Sequence, residues 1–343
     1  MQNRPGSIDR VPLNTFAIAL GLTGVASTWS AATTVATIPP QIARVFWVAS
    51  AAATLWLITA HAVRGRRSGK PLRGQLRDPV QGPLAVIVPL VGILIGTDAL
   101  RWLPTVGATI VIVSMIATAA YAGWLVSTWM TGRIELGAVH GGYILPTVAG
   151  GFLTATAADT LGLHALGWAA FGVGCLFWVV MTTLLIARMI SRPALPDALA
   201  PTLAVIMAPP AVGGLALFAL TDHVASPLSF AFAGITGILA IAQLAAIPRY
   251  RRLRFSLGFW SFTFPVAAVA TYAIAWLDVA HTPSGGTLAI LLGLGVTLFV
   301  TAIGIRSLLA VAAAGAGARE EAVLLRADEE ARRPRTGPTA TAP

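Results

Sequence analysis

The chain has 343 residues, 56% hydrophobic and only 10% charged, with a mean hydropathy of +0.79. Water-soluble domains carry about 25% charged residues, so this composition excludes a soluble globular protein and points to a membrane bundle. The formal net charge is +10, and Cys175 is the only cysteine, which excludes a disulfide framework and a cysteine-based metal site.

Apolar runs bounded by charge and by Pro/Gly clusters predict about ten spans, near 12–31, 41–63, 83–98, 104–129, 143–161, 165–189, 200–221, 226–247, 255–277 and 286–310. The segment between the second and third spans carries Arg64, Arg66, Arg67, Lys70, Arg73 and Arg77. Arg133, then Arg188 and Arg192, then Arg249, Arg251, Arg252 and Arg254 follow at every second connection. The opposite turns carry Asp98, Asp159, Asp222, Asp278, His164, His223 and His281. Of the 23 Lys and Arg residues, only Arg44 and Arg101 fall on that second side. Positive charge is retained in the cytoplasm, so both termini are expected there and the span count is expected to be even. Arginines spaced this regularly at helix ends fit topology and anionic lipid contacts, and no nucleic-acid partner is expected.

Proline divides the spans into two sets. Pro89, Pro146, the pair Pro209–Pro210, and Pro265 lie inside the third, fifth, seventh and ninth spans, while the first has Gly21 and Gly24 instead. Irregular backbone at membrane depth is tolerated where it is packed in protein or lines a watery cavity. The odd spans are therefore candidates for an inner ring, with the prolines as pore-helix kinks, and the even spans for a lipid-facing ring. On the residues alone, kinks that merely help helices pack remain an equal reading.

No carboxylate, lysine or arginine falls near the centre of a span, which weakens a case for tight proton coupling. His61 reads as an interface histidine and Asp159 as a residue flanking a helix end. The catalytic motifs H-E-x-x-H and G-x-S-x-G and a Walker loop are missing, so an enzyme is not expected, nor a cofactor or a metal. Gly172–Gly174 and Gly293–Gly295 lie inside apolar runs and read as helix packing points. The chain divides into a cytoplasmic start (1–11), a transmembrane domain (12–310) and a cytoplasmic, largely disordered tail (311–343) with a short amphipathic helix at 318–331.

The ninth span organises the rest. Arg249, Arg251, Arg252 and Arg254 give way at Phe255 to 22 uncharged residues ending at Trp276, enough to cross a bilayer core. Pro265 lies mid-span and predicts a kink beside Phe262 and Phe264. The wording F-S-L-G-F-W-S-F-T-F-P resembles the ninth helix of the tellurite-resistance/dicarboxylate transporter family, which includes plant guard-cell slow anion channels and bacterial TehA proteins. Phe259–Trp260 stands where the family commonly has Trp-Trp. A-P-T-L-A-V-I-M-A-P-P-A-V-G, Ala200 to Gly213, is similar to the family's seventh helix, and P-L-N-T-F-A-I-A-L-G-L-T-G-V-A-S-T-W, Pro12 to Trp29, to its first. The resemblance begins inside the first span, which is therefore kept as a permanent helix and not a signal peptide.

The resemblance implies an all-α polytopic membrane protein, ten helices forming five hairpins in a pseudo-fivefold ring around a central pore. It implies a homotrimer in which each protomer has its own pore. The function it implies is an anion channel or facilitator for small inorganic or carboxylate anions, with Phe264 as the aromatic residue that plugs the pore. The alternative within the same family is a proton-coupled carrier or efflux protein for C4-dicarboxylate, sulfite or tellurite-type oxyanions. With no fixed charge to offset lost hydration, small or weakly hydrated monovalent anions are expected to pass best, aided by helix N-termini. Phe262, two positions from Phe264, is expected to be a packing residue.

Overall fold

The computed structural model of the chain describes residues 10–69, 71–132 and 135–332, with side chains as far as 313. Among these residues the protein is all helical, with no strand. In a hydrocarbon environment the helix satisfies every backbone N–H and C=O within one segment, so each apolar run folds this way. The α-helices are α1 (Ala17–Val35), α2 (Gln41–Ser68), α3 (Leu72–Leu76), α4 (Ile87–Ala99), α5 (Pro104–Thr131) and α6 (Gly150–Thr160), then α7 (His164–Ser191), α8 (Ala208–Leu220), α9 (Pro227–Ala245), α10 (Ile247–Tyr250), α11 (Thr263–Val279) and α12 (Gly285–Arg332). The odd spans correspond to α1, α4, α6, α8 and α11; the even ones to α2, α5, α7, α9 and α12.

Among the described residues, nine helical runs are long and apolar enough to cross a membrane. Sequence reading expects about ten. The remaining one, the fifth span, is present as Gly141–Thr160 but is built from three consecutive pieces of different helix type and is rich in Gly and Thr. The protein is a polytopic membrane protein.

Burial separates the two sets of spans. In the most apolar windows of the first, third, seventh and ninth spans, 50–83% of residues are buried, against 17–28% in the even helices. α1 packs on α4, α4 on α6, α6 on α8, α8 on α11, and α11 on α1, so the sequence of odd neighbours closes on itself. Each even helix from α2 to α9 packs against the odd helix that precedes it.

Close approach is achieved with glycine. A Cβ on Gly21 would collide with the Thr263 side chain, and one on Gly24 with the Ala267 side chain, which lets α1 and α11 touch along their backbones. The Thr28 and Thr271 hydroxyls then hydrogen-bond across that contact at 3.0 Å. Of the glycine pairs read as packing points, Gly174 abuts Phe152 and Gly293 abuts Trp29, while Gly172 and Gly295 have open space beside them.

At the end opposite the arginines, three turns repeat one device. The N–H of Leu163 reaches the carbonyl of Ala158, that of His223 reaches Phe218, and that of Thr282 reaches Leu277, at 2.8, 2.8 and 3.1 Å. These are helix C-caps closed through a left-handed residue: Gly162 (φ +75°), Asp222 (φ +48°) and His281 (φ +47°), with His223 also at φ +61°. Asp and His tolerate that region better than most residues, so the polar residues at these turns also serve the backbone.

One compact unit ends at Val300 and a second begins at Thr301, within α12. Helix α12 continues unbroken to Arg332 and contains the segment expected to be amphipathic at 318–331, whose side chains lie outside the described residues. Residues 333–343, part of the tail expected to be disordered, also lie outside them.

Candidate functional site

Every odd span begins with turns wound differently from an α-helix before its α-helix starts. These are the 3-10 segments Leu13–Phe16, Gly82–Val86, Gly141–Ile144, Ala200–Met207 and Leu257–Phe262, with a π-helical segment Leu145–Ala149 after the third. The sequence-predicted prolines sit at or just after these junctions. Pro265 is the third residue of α11, Pro209 and Pro210 the second and third of α8, Pro89 the third of α4, and Pro146 the second of the π segment. A first helical turn has no use for the missing proline N–H, so the chain changes helix type there without losing a bond. The break expected in mid-helix at Pro265 thus takes the form of a 3-10 to α transition.

The five junctions surround one cavity of about 40 Å³, room for only a few water molecules. Its wall takes residues from every odd span, among them Leu20, Ile87, Ala149, Pro209 and Phe264, and none from an even helix. Pro265 also lines it; Pro89, Pro146 and Pro210 do not. Among the described residues the wall has no ionisable side chain, and its polar side chains are Asn14, Thr202 and Ser261, beside the indole of Trp260. The α-helices that begin at Ala17, Ile87, Gly150, Ala208 and Thr263 have their N-termini at or beside this wall. The N–H groups of Ala17, Ile87, Gly150, Ala208 and Thr263 are taken by carbonyls of the 3-10 or π turns before them, so the cavity faces the first turns of continuous helical runs, and nothing in its wall is ionised.

Phe264 lies in the first turn of α11 with 7% of its surface exposed, and its ring faces the cavity beside Gly24. The Thr263 hydroxyl donates to the Trp260 carbonyl at 2.7 Å, tying the start of α11 to its 3-10 turn. Phe262 does not reach the cavity. It packs edge-on against Tyr250 at 4.8 Å between ring centres and against Phe259 at 5.7 Å.

Around the N-terminal ends of the odd spans lies a second shell that sequence reasoning passed over. His140, fully buried, stands just before the fifth span. Its Nδ1 accepts the Gly142 N–H at 3.1 Å, so the proton is on Nε2, which donates to the Val80 carbonyl at 3.1 Å. Burial pushes its pKa down to about 4, against the opposing pull of its carbonyl partners and of Asp78. A histidine fixing a glycine turn has no spacing signature, and only the adjacent Gly141–Gly142 hints at it. Arg188, only 4% exposed, donates from Nη1 to the Pro193 carbonyl at 2.7 Å and approaches the Gly137 carbonyl at 3.5 Å. Among the described residues no carboxylate pairs with it. His61 is tied to the Val11 carbonyl at 3.0 Å, close to Arg10. At the far end of the fifth span, Asp159 and His164 lie 2.6 Å apart, away from the cavity.

The model of the family described as voltage-dependent anion channel (SLAC1) matches residues 10–312. The chain belongs to this family. The voltage-dependent anion channel match takes in every residue of the cavity wall and ends beside the boundary drawn from sequence at 310/311. A tellurite resistance protein TehA homolog of Haemophilus influenzae is 24% identical over 267 residues, 78% of this chain and 81% of that protein. An S-type anion channel, SLAH2, of Arabidopsis thaliana is 26% identical over 157 residues, covering 46% of this chain and 30% of that protein. The resemblance read from the first, seventh and ninth helices is therefore shown over most of the chain.

Proposed function

We propose that this member of the voltage-dependent anion channel family is an anion channel or facilitator whose five hairpins surround a single pathway, with Phe264 as the gate. The observation that carries the reading is the composition of the cavity wall: all five odd spans, none of the even ones, no ionised side chain, and the N-terminal turns of the odd helical runs arranged around it. Helix dipoles without fixed cations favour anions weakly, which suits passage better than retention. The Phe264 ring blocks hydrated ions by its bulk and by keeping water out of a narrow apolar stretch. Movement of the ring to another rotamer opens the path. The two relatives, one an S-type anion channel and the other a tellurite resistance protein homolog, agree with such a substrate class.

By the charge rule, the arginine-rich ends of the helices support a cytoplasmic side for the cavity mouth and for both termini. The exposed apolar faces of the even helices meet lipid and, in the homotrimer this reading includes, neighbouring copies. The test is anion flux into liposomes loaded with purified protein, with and without a pH gradient. Flux that follows the anion gradient alone supports a channel. Flux that requires the pH gradient replaces it with a proton-coupled carrier.

A further inference from the structure

Most of the cavity wall is aliphatic, yet one corner is not. Asn14 lies in the 3-10 turn Leu13–Phe16, and Ser261 in the 3-10 turn Leu257–Phe262; the two turns pack together and both side chains line the cavity. Among the described residues, neither the Asn14 carboxamide nor the Ser261 hydroxyl has a hydrogen-bond partner; the buried Asn14 Oδ1 is an acceptor that water satisfies and an anion does not, so the donors open to an anion are the Asn14 Nδ2 and the Ser261 hydroxyl. Thr202, the third polar group of the wall, is different: its hydroxyl proton is already committed to the Leu199 carbonyl at 2.7 Å. Unpaired polar groups inside an apolar site are unfavourable unless something from outside satisfies them, and buried polar groups are overwhelmingly paired.

We propose that Asn14 and Ser261 form an anion station next to the Phe264 ring, at which a small monovalent anion exchanges part of its water shell for the carboxamide N–H and the hydroxyl O–H. The proposal rests on the reading of this cavity as the anion path, and it adds which groups set the selectivity. A carboxamide and a hydroxyl are the donors suited to this task. They offer charge-assisted hydrogen bonds to the anion without the fixed cation that would hold it in place. In the absence of an anion, water fills the corner. The consequence is a compressed selectivity series. Anions that hold their water firmly, such as chloride, depend on the two donors, while anions that shed water readily, such as thiocyanate, cross the apolar remainder of the wall with little help.

The test compares bi-ionic reversal potentials for thiocyanate, nitrate and chloride in the wild-type chain and in the Phe264→Ala background, each with and without Asn14→Leu and Ser261→Ala. The expected result is a rise in the thiocyanate-to-chloride permeability ratio of about three- to ten-fold in the double variant, the loss of charge-assisted hydrogen bonds partly replaced by water. Thiocyanate current itself should persist, which shows that the variant is folded and open. Asn14→Gln, which keeps an N–H donor, should retain a ratio closer to wild type than Asn14→Leu. Permeability ratios that do not change while current persists would overturn the station and leave the pathway standing. An absence of anion current in both parent backgrounds would overturn the pathway, and the station with it.

Discussion

The two ends of the odd spans are built on opposite plans. At their C-terminal ends, left-handed residues close three tight turns with repeated hydrogen bonds, and Asp and His sit in short connections. At their N-terminal ends, every span starts in 3-10 or π turns, and these meet around the cavity. One end is a set of clasps and the other a meeting of largely buried helix starts. The difference teaches that cations gather around the cavity end without entering the cavity itself. Most of the ionisable residues named from sequence lie at connections, where they set topology or cap helices, whereas the cavity wall holds none.

The largest effect expected from breaking this contrast is at Phe264. Phe264→Ala should raise anion flux about a hundredfold, equivalent to about 2.7 kcal/mol removed from the barrier. Patch-clamp or liposome flux measures it, with expression and thermal stability as controls. Phe262→Ala should do the reverse, costing about 3 kcal/mol of stability through loss of its contacts with Tyr250 and Phe259, with no gain in flux. Higher flux from Phe262→Ala than from Phe264→Ala would show that the gate lies on the other ring.

The next effect concerns a residue that steadies the cavity end from outside. Arg188 satisfies loop carbonyls with a buried cation that no carboxylate balances among the described residues. Arg188→Met keeps the apolar stem of the side chain and leaves those carbonyls unpaired, so a loss of about 2 kcal/mol is expected in a denaturant titration. A gain in stability would mean that desolvating the guanidinium costs more than its hydrogen bonds return.

How much of this was legible in the sequence follows from which signals are local. The span boundaries, the inner and outer sets and the special place of the F-S-L-G-F-W-S-F-T-F-P stretch were readable, because hydropathy and proline placement are properties of short windows. The form of the proline breaks was not. A proline in the first turn of a helix and one in its middle look alike when the upstream turn is uncharged and apolar in both cases, and here that turn is 3-10. The same limit applies to the fifth span, whose glycines and threonines blur the hydropathy signal. His140, Arg188 and the unpaired state of Asn14 depend on residues 40 or more positions away or on loop carbonyls, and no window contains them.

His140 gives a smaller and pH-dependent effect at the same end. Its folded-state pKa of about 4 lies below the ordinary 6.5, so the unfolded chain binds the proton first. Stability should therefore be fully present above about pH 6.5 and decline as pH falls toward about 4, by an amount on the order of 2 kcal/mol between pH 7 and pH 5. His140→Gln, able to donate and accept at similar reach, should flatten that part of the melting-temperature profile. A profile unchanged by the substitution would assign the acid sensitivity elsewhere.

The smallest effect is expected at the clasps, and it bears on the contrast directly. Gly162 adopts φ +75° in the turn between α6 and α7, with open space where a Cβ would point. Gly162→Ala therefore meets no neighbour, and its cost is the strain of an L-residue in the left-handed region, about 1 kcal/mol. That strain sits at the opposite end of the fifth span from the cavity, separated from it by α6. If the outer turns only hold the hairpins together, the variant should melt a few degrees lower while its flux per folded protein and its permeability ratios match wild type. Asp222 and His223 already occupy the same region of backbone space in the turn after α8, so the fold demonstrably tolerates side chains in such turns. A change in flux or selectivity from Gly162→Ala would show that strain at the clasps reaches the cavity, and the two ends would then have to be treated as one mechanical unit.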